Sequence, residues 1–314
     1  HWARELMAWA ALHIEMGEPT DLQRAQALMR EARSAFAEMG ATSFVVYADE
    51  QLESLRAVTH ARLQAHDKVS RELAVAGRIQ EGLLPEEVPE IAGWQLAATL
   101  EPARETSGDF YDFIPLPGGQ LGLVVADVAD KGAGAALYMA LSRTLIRTYA
   151  ARFPDQPDLV LSSTNHRILD ETHTGMFVTV FYGVLDPHTG AFRYCNAGHS
   201  PPILLQADGT STLGRTGLPL GILEDTEWEA GELSLAPGDA LVLYTDGVTE
   251  AQARDGVLFG QDRLREVIEA QRGAGGATEA QARALRDAVL EAVHGFVGDA
   301  PRFDDLTLMV VSRT

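Results

Sequence analysis

Pro85 divides this 314-residue sequence into two textures that no single layer of secondary structure accommodates. Proline has no N–H and cannot continue a helical hydrogen-bond ladder. Before it, residues 1–84 are rich in Ala, Leu, Glu, Gln and Arg, all strong helix formers. Gly17-Glu18-Pro19-Thr20 ends a first helix, Asp21 caps a second, and Gly40-Ala41-Thr42-Ser43 separates that one from a third. Ala25, Leu28, Met29, Ala32, Ala35, Phe36 and Met39 recur at helical spacing, so residues 1–50 read as a helical segment. Residues 51–84 read as a long linker helix. Within it His66, Val69, Leu73, Ala76, Gln80 and Leu83 step by three and four, as the core positions of a coiled coil do. Two of the six are polar, so the stripe fits either the seam of a homodimer or a helix packed on its own domain. Gly77 and Gly82 interrupt the good helix formers between Val58 and Leu84, each at a cost of about 1 kcal/mol relative to Ala. A helix weakened there is either a hinge for control or a passive spacer.

After Pro85 short β-rich runs alternate with turn signals. Trp94–Leu100, Phe110–Pro115 and Leu121–Ala126 read as strands, and two helices follow in succession, Gly134–Arg152 and Pro157–Asp170. Strands resume at Phe177–Leu185, Phe192–Asn196, Pro202–Gln206, Glu227–Leu235 and Ala240–Tyr244. Helices at about Gln261–Gln271 and Glu279–Phe296 precede a last strand, Leu306–Val311. Strands grouped around two consecutive helices indicate an α+β domain over residues 85–314 rather than a repeating parallel βαβ sheet.

Charge narrows the functions open to such a domain. Residues 1–84 carry 12 acidic and nine basic side chains, and residues 85–314 carry 33 against 16. A domain this acidic repels phosphate backbones, which argues against nucleic acid, an anionic membrane surface and a nuclease activity. No apolar run approaches the roughly 18 residues needed to cross a bilayer, and no signal peptide is evident. The single cysteine, Cys195, excludes a disulfide framework or a Cys-rich zinc site, fits a reducing, cytoplasmic setting, and reads as a small buried hydrophobe. The sequence starts at His1, which reads as a fragment of a longer protein.

The chemistry lies in four acidic motifs. They are Ser107-Gly108-Asp109-Phe110-Tyr111-Asp112, Ala126-Asp127-Val128-Ala129-Asp130-Lys131-Gly132, Tyr244-Thr245-Asp246-Gly247-Val248-Thr249-Glu250 and Phe303-Asp304-Asp305-Leu306-Thr307. In three of them an Asp adjoins a hydrophobic strand, which holds a carboxylate on rigid backbone at a sheet edge. Several such carboxylates converging bind hard divalent cations through oxygen. His166 and His173 are seven residues apart, not at zincin spacing, so soft-ligand sites are disfavoured. Taken singly, an Asp-Gly or Asp-Asp pair is as readily a turn or a solvated cap.

In order along the chain these motifs resemble the SpoIIE-like (RsbU-like) branch of the PPM metal-dependent protein serine/threonine phosphatases. The likeness spans roughly residues 71–313. It opens with Arg71-Glu72-Leu73 through Gln80-Glu81-Gly82-Leu83-Leu84-Pro85 and includes Asn196-Ala197-Gly198-His199-Ser200-Pro201-Pro202 and Gly217-Leu218-Pro219-Leu220-Gly221. It implies an αββα sandwich, two antiparallel sheets between helical layers, with two Mn²⁺ or Mg²⁺ ions at one end. By the same resemblance Asp127 bridges the ions, the carbonyl of Val128 ligates one, Asp246 and Asp304 hold the other, and Asp109 joins the cluster directly or through water. Asp112 and Glu250 match family positions without an assigned contact, and Asp305 turns away to support its strand. Ser107 stands where the family often has Gly, and Ala129-Asp130 where Ser-Gly is frequent. The implied substrate is a phosphorylated protein of the STAS (anti-anti-sigma) class in bacterial partner switching. The N-terminal spacing resembles, more loosely, the last helices of a tetratricopeptide-like array.

The competing function is a catalytically weak phosphatase-like module that binds or senses. Three residues are open to two readings. Lys131 and Arg104 either meet the substrate phosphate or are plain surface residues, and His199 is either a general acid or the organiser of its turn.

Overall fold

The structure, a computed structural model, describes residues 2–16, 19–172, 175–272 and 281–314. The expected break at Gly17-Glu18, His173 and the expected helix start at Glu279 lie outside the described residues, as does the side chain of His66. Three helices open the chain: α1 (Trp2–Met16), α2 (Pro19–Glu38) and α3 (Thr42–Glu81). The chain falls into two units, residues 1–72 and 73–314, with the division inside α3.

In the first unit the stripe read from the sequence is the buried one. Ala25 and Met29 of α2 pack with Ala10, Leu22, Leu52 and Leu55, while Ala32 and Phe36 pack with Ala3 and Leu6. Residues three and four apart share one helix face, so a single apolar stripe suffices to join the helices. Met39 was expected in this stripe but is 61% exposed, because α2 has already ended at Glu38.

Among its described residues the second unit holds ten strands in two antiparallel sheets. One has the order β1 (Trp94–Glu101), β10 (Leu306–Arg313), β9 (Ala240–Tyr244), β6 (Ile203–Gln206), β7 (Gly209–Thr212). The other has the order β2 (Phe110–Pro115), β3 (Leu121–Val128), β4 (Val178–Leu185), β5 (Ala191–Ala197), β8 (Gly231–Ser234). Strand alternation sorts the side chains into three apolar layers. Leu121, Leu123 and Val125 of β3 meet Leu241, Leu243, Met309 and Val311 between the sheets. Val124, Ala126 and Val128 point the other way, onto α4 (Ala133–Arg152) and α5 (Pro157–Glu171). On the opposite side, Val242, Tyr244, Leu308 and Val310 pack under α7 (Gly260–Ala270) and α8 (Gln281–Val297). The result is the expected α+β sandwich of two sheets between helical layers. The strand expected at Glu227–Leu235 shortens to β8, and β7 was not foreseen, since Gly209–Thr212 is a polar run with no apolar alternation. A one-turn helix, α6 (Asp246–Thr249), follows β9. No helix among the described residues is long and apolar enough to cross a membrane.

Candidate active site

The register of the two sheets brings the four acidic motifs to one end. Phe110 pairs with Ala126, so Asp109 just before β2 lies beside Asp127 near the end of β3. Leu308 pairs with Tyr244, so Thr245-Asp246 after β9 and Asp304-Asp305 before β10 meet in the same way. Gly247 permits that meeting, because a Cβ there would overlap the carbonyl oxygen of Asp305.

Asp109 is buried, and both threonines of the second pair bond it. Thr245 Oγ1 donates to Asp109 Oδ2 at 2.7 Å and Thr307 Oγ1 to the same oxygen at 2.6 Å. Thr307 N–H in turn donates to Thr245 Oγ1 at 3.1 Å. Burial, then the charge of Asp127, pushes the Asp109 carboxyl well above the usual carboxylate range. Asp127 lies beside Asp109, and its own carboxyl is pushed up to about 7 by burial and by Asp246 and Asp304. Asp246 is also raised, by burial first and then by Glu250 and Asp304. Asp109 is thus buried beside the partly buried Asp127 and Asp246, and Asp304, 37% exposed, adds its charge to theirs. Among the described residues no three His, Cys, Asp or Glu side chains form a ready-made metal shell. The donor set is nonetheless all hard oxygen, which suits hard divalent cations.

Asp305 turns away from the cluster and organises the loop before β2. Its Oδ1 accepts from Ala103 N–H at 2.7 Å, and its Oδ2 accepts from Ser107 Oγ at 2.8 Å and from Gly108 N–H at 2.9 Å. Ser107, at the position where a glycine is frequent, therefore has a task of its own. Lys131 is engaged too: its Nζ lies 2.9 Å from Asp304 Oδ2 and donates to the Phe303 carbonyl at 2.6 Å. Arg104 is exposed.

Asp112 faces away from the cluster. It is fully buried, accepts from Arg147 Nη1 of α4 at 2.6 Å, and has Arg143 Nε 3.1 Å from its other oxygen, off line for a hydrogen bond. It ties α4 to the sheet. His199 is buried, with Nδ1 2.8 Å from Thr179 Oγ1 and its main-chain N–H donated to Asn196 Oδ1 at 2.8 Å. Burial pushes its imidazole down to about 3, against the pull of the Tyr244 carbonyl. A ring held neutral, with the main-chain N–H on Asn196 and the ring in contact with Thr179, favours the reading in which His199 organises its turn. Cys195 is buried, and burial pushes its thiol up to about 12.

Beside the carboxylates opens a recess of about 230 Å³. Asp127, Asp246, Glu250, Ser200, Arg215 and Gln261 are among the residues that line it. The sequence reading assigned no role to Thr245, Thr307 or Arg215, and placed Gln80 on a coiled-coil seam instead of at the site. The two threonines stood inside quoted motifs, but their partner lies 136 and 198 residues away.

Comparison with known proteins agrees with this geometry. The family model for Stage II sporulation protein E matches residues 117–314. Protein IcfG of Synechocystis sp. is 32% identical over 297 residues, which cover 85% of this chain and 45% of that one. Phosphoserine phosphatase RsbU of Bacillus subtilis is 30% identical over 251 residues, 78% of this chain and 71% of RsbU. The chain thus spans less than half the length of the first of these relatives. The crystal structure of the RsbU and RsbW domains of a Mycobacterium tuberculosis protein superposes with a TM-score of 0.62 at 29% identity, covering 72% of this chain and 61% of that one. The PP2C domain of Pseudomonas aeruginosa SiaA has the same fold, with a TM-score of 0.69 at 19% identity over 80% of this chain and 98% of that one.

Proposed function

The chain belongs to the SpoIIE family, and from that premise we propose that it is a metal-dependent phosphatase acting on phosphoserine or phosphothreonine in a protein. The observation that carries this reading is the gathering of Asp109, Asp127, Asp246 and Asp304 at one end of both sheets, with Asp127 pushed up to about 7 by burial and its acidic neighbours. Negative charge crowded away from water is relieved when cations enter it. Hard carboxylate oxygens fit Mn²⁺ or Mg²⁺, and two ions are proposed. When bound, they supply Lewis acidity toward the phosphoryl oxygens and ease removal of a proton from water at neutral pH.

The residues divide the work as follows. Asp127 would hold both ions, with the Val128 carbonyl on one and Asp246 and Asp304 on the other. Thr245 and Thr307 fix the rotamer of Asp109 so that it stays beside Asp127. Lys131 offers a positive charge next to Asp304. The recess with Arg215 and Gln261 admits the polypeptide around the phosphorylated side chain. No Ser or Cys nucleophile is required, and the raised thiol of Cys195 is consistent with that.

Likeness to the phosphoserine phosphatase RsbU supports a phosphoserine substrate, and the resemblance in the acidic motifs is the ground for proposing a phosphorylated STAS-domain partner in partner switching and a cytoplasmic setting. A homodimer through the linker helix is part of the proposal, supported among its heptad positions by the exposure of Val69, whereas Gln80 is buried within its own unit. The test is loss of phosphate from a phosphorylated STAS protein mixed with this chain and Mn²⁺, followed by mass spectrometry with and without chelator. Loss that needs the metal is expected. Undiminished loss in chelator overturns the mechanism, and no loss with any phosphoprotein leaves the alternative, a phosphatase-like binding module.

A further inference from the structure

The last turns of α3 are built into the loop that leads to Asp109. Gln80 is buried, and its carboxamide meets one residue twice: Nε2 donates to the Ser107 carbonyl at 2.5 Å, and Oε1 accepts the Ser107 N–H at 3.0 Å. Among the described residues these main-chain groups of Ser107 have no other partner. One helical turn earlier, Gly77 lets the helix approach, since a Cβ there would overlap the carbonyl oxygen of Glu105. Gly77, read from the sequence only as a residue that weakens the helix, is therefore also a packing requirement. Gln80, expected on a coiled-coil seam, is spent inside the same unit.

The pairing is chemically selective. A main-chain N–H and C=O presented together need one acceptor and one donor at a fixed spacing. Among side chains of this length only glutamine offers both, since a carboxylate has no donor and an aliphatic chain has neither. From Ser107 the contacts run directly into the site. Its Oγ donates to Asp305 at 2.8 Å, the N–H of Asp109 donates to that same Oγ at 3.0 Å, and the strand pairing sets Asp109 beside Asp127.

We propose that Gln80 is a positioning residue of the carboxylate cluster: through Ser107 it fixes the main chain that carries Asp109, so that the end of α3 and this corner of the metal site move as one body. The proposal rests on the metal-dependent reading above. It makes the helix end part of the site, and any signal that displaces this turn displaces Asp109 with it.

The experiment uses the whole chain with Gln80→Glu, which keeps the acceptor and loses the donor, and Gln80→Met, which loses both at similar volume. Three quantities are read: Mn²⁺ affinity by calorimetry, amide hydrogen exchange at Ser107–Asp109 without metal, and kcat and KM on p-nitrophenyl phosphate. Outer-shell partners of metal ligands typically contribute 10- to 100-fold in affinity, so the Mn²⁺ Kd should rise about tenfold or more. Exchange at Ser107–Asp109 should quicken while the strands keep their protection, and saturating Mn²⁺ should restore most of kcat with KM little changed. Wild-type Mn²⁺ affinity and wild-type exchange in both variants, with only a lower melting temperature, would overturn the role of Gln80. A wild-type protein that binds no Mn²⁺ overturns the metal reading itself. If Gln80→Met does not fold, Gln80→Glu carries the decision.

Discussion

Thr307 Oγ1 donates to Asp109 Oδ2 at 2.6 Å, and this bond joins the first acidic motif to the last across 198 residues of chain. Thr245 completes a clamp on the same oxygen. Because Asp109 is buried, losing one donor leaves a polar atom short of partners, at a cost of about 1–3 kcal/mol. Thr307→Val keeps the shape and removes the donor. It should lower stability by that amount in urea titration and raise the Mn²⁺ concentration needed for activity. Unchanged values of both would mean that the clamp is idle.

Asp127 and Asp246 give the sharper contrast between metal site and scaffold. Both carboxyls are raised by burial and by neighbouring acids, so both are under electrostatic stress when no cation is bound. Asp127→Asn and Asp246→Asn remove charge without removing volume. Turnover should vanish, and the metal-free melting temperature should hold or rise. Mn²⁺ at 100 times its Kd stabilises a native state by about 2.7 kcal/mol, and that increment should be seen in the wild type and absent in the variants. A collapsed melt in metal-free buffer would instead make these residues structural.

The four aspartates stood out in the sequence because in three of the motifs an Asp adjoins a run that reads as a strand, and a strand end has a known place in a sheet. The helical layers were legible for the same local reason, through spacing of three and four. What organises the site was not. Thr245 and Thr307 act through the β9–β10 register, Asp305 reaches back to Gly108, and Gln80 reaches forward to Ser107. Each of these pairings depends on which strands become neighbours, and no local pattern encodes that. Gly77 shows the limit most plainly. Propensity alone marks it as a helix weakness, whereas its neighbour across the packing, Glu105, makes it a requirement.

Asp112 carries a different prediction. Its carboxylate is fully buried against Arg143, itself only 12% exposed, and Arg147. Removing one partner of a buried pair strands the other charge, typically at a cost of about 3–5 kcal/mol. Asp112→Ala should therefore destabilise the second unit strongly. Arg143→Met in the same chain should recover part of the loss, because the stranded charge is then gone. No recovery in the double variant would show that Asp112 acts by something other than this pair.

His199 makes the stability depend on pH in a direction set by burial. Its folded value is pushed down to about 3, whereas the unfolded chain takes up a proton near the ordinary value of about 6.5. Above 6.5 both states are neutral at this residue and its full contribution is present. As pH falls below 6.5 the unfolded state binds the proton and the folded state does not, so stability is lost by about 1.4 kcal/mol per pH unit from this group. The loss continues until pH approaches the folded value. His199→Asn should be less stable at pH 7.5, since the bond to Thr179 is disturbed, yet should lose less stability between pH 6.5 and pH 5. Urea midpoints across that range measure the difference in slope. Parallel slopes would mean that the ring takes its proton in the folded protein. In that case a loss of the basic limb of the kcat profile in His199→Asn would reinstate His199 as a general acid, whereas an unchanged limb is expected from a ring that only holds its turn.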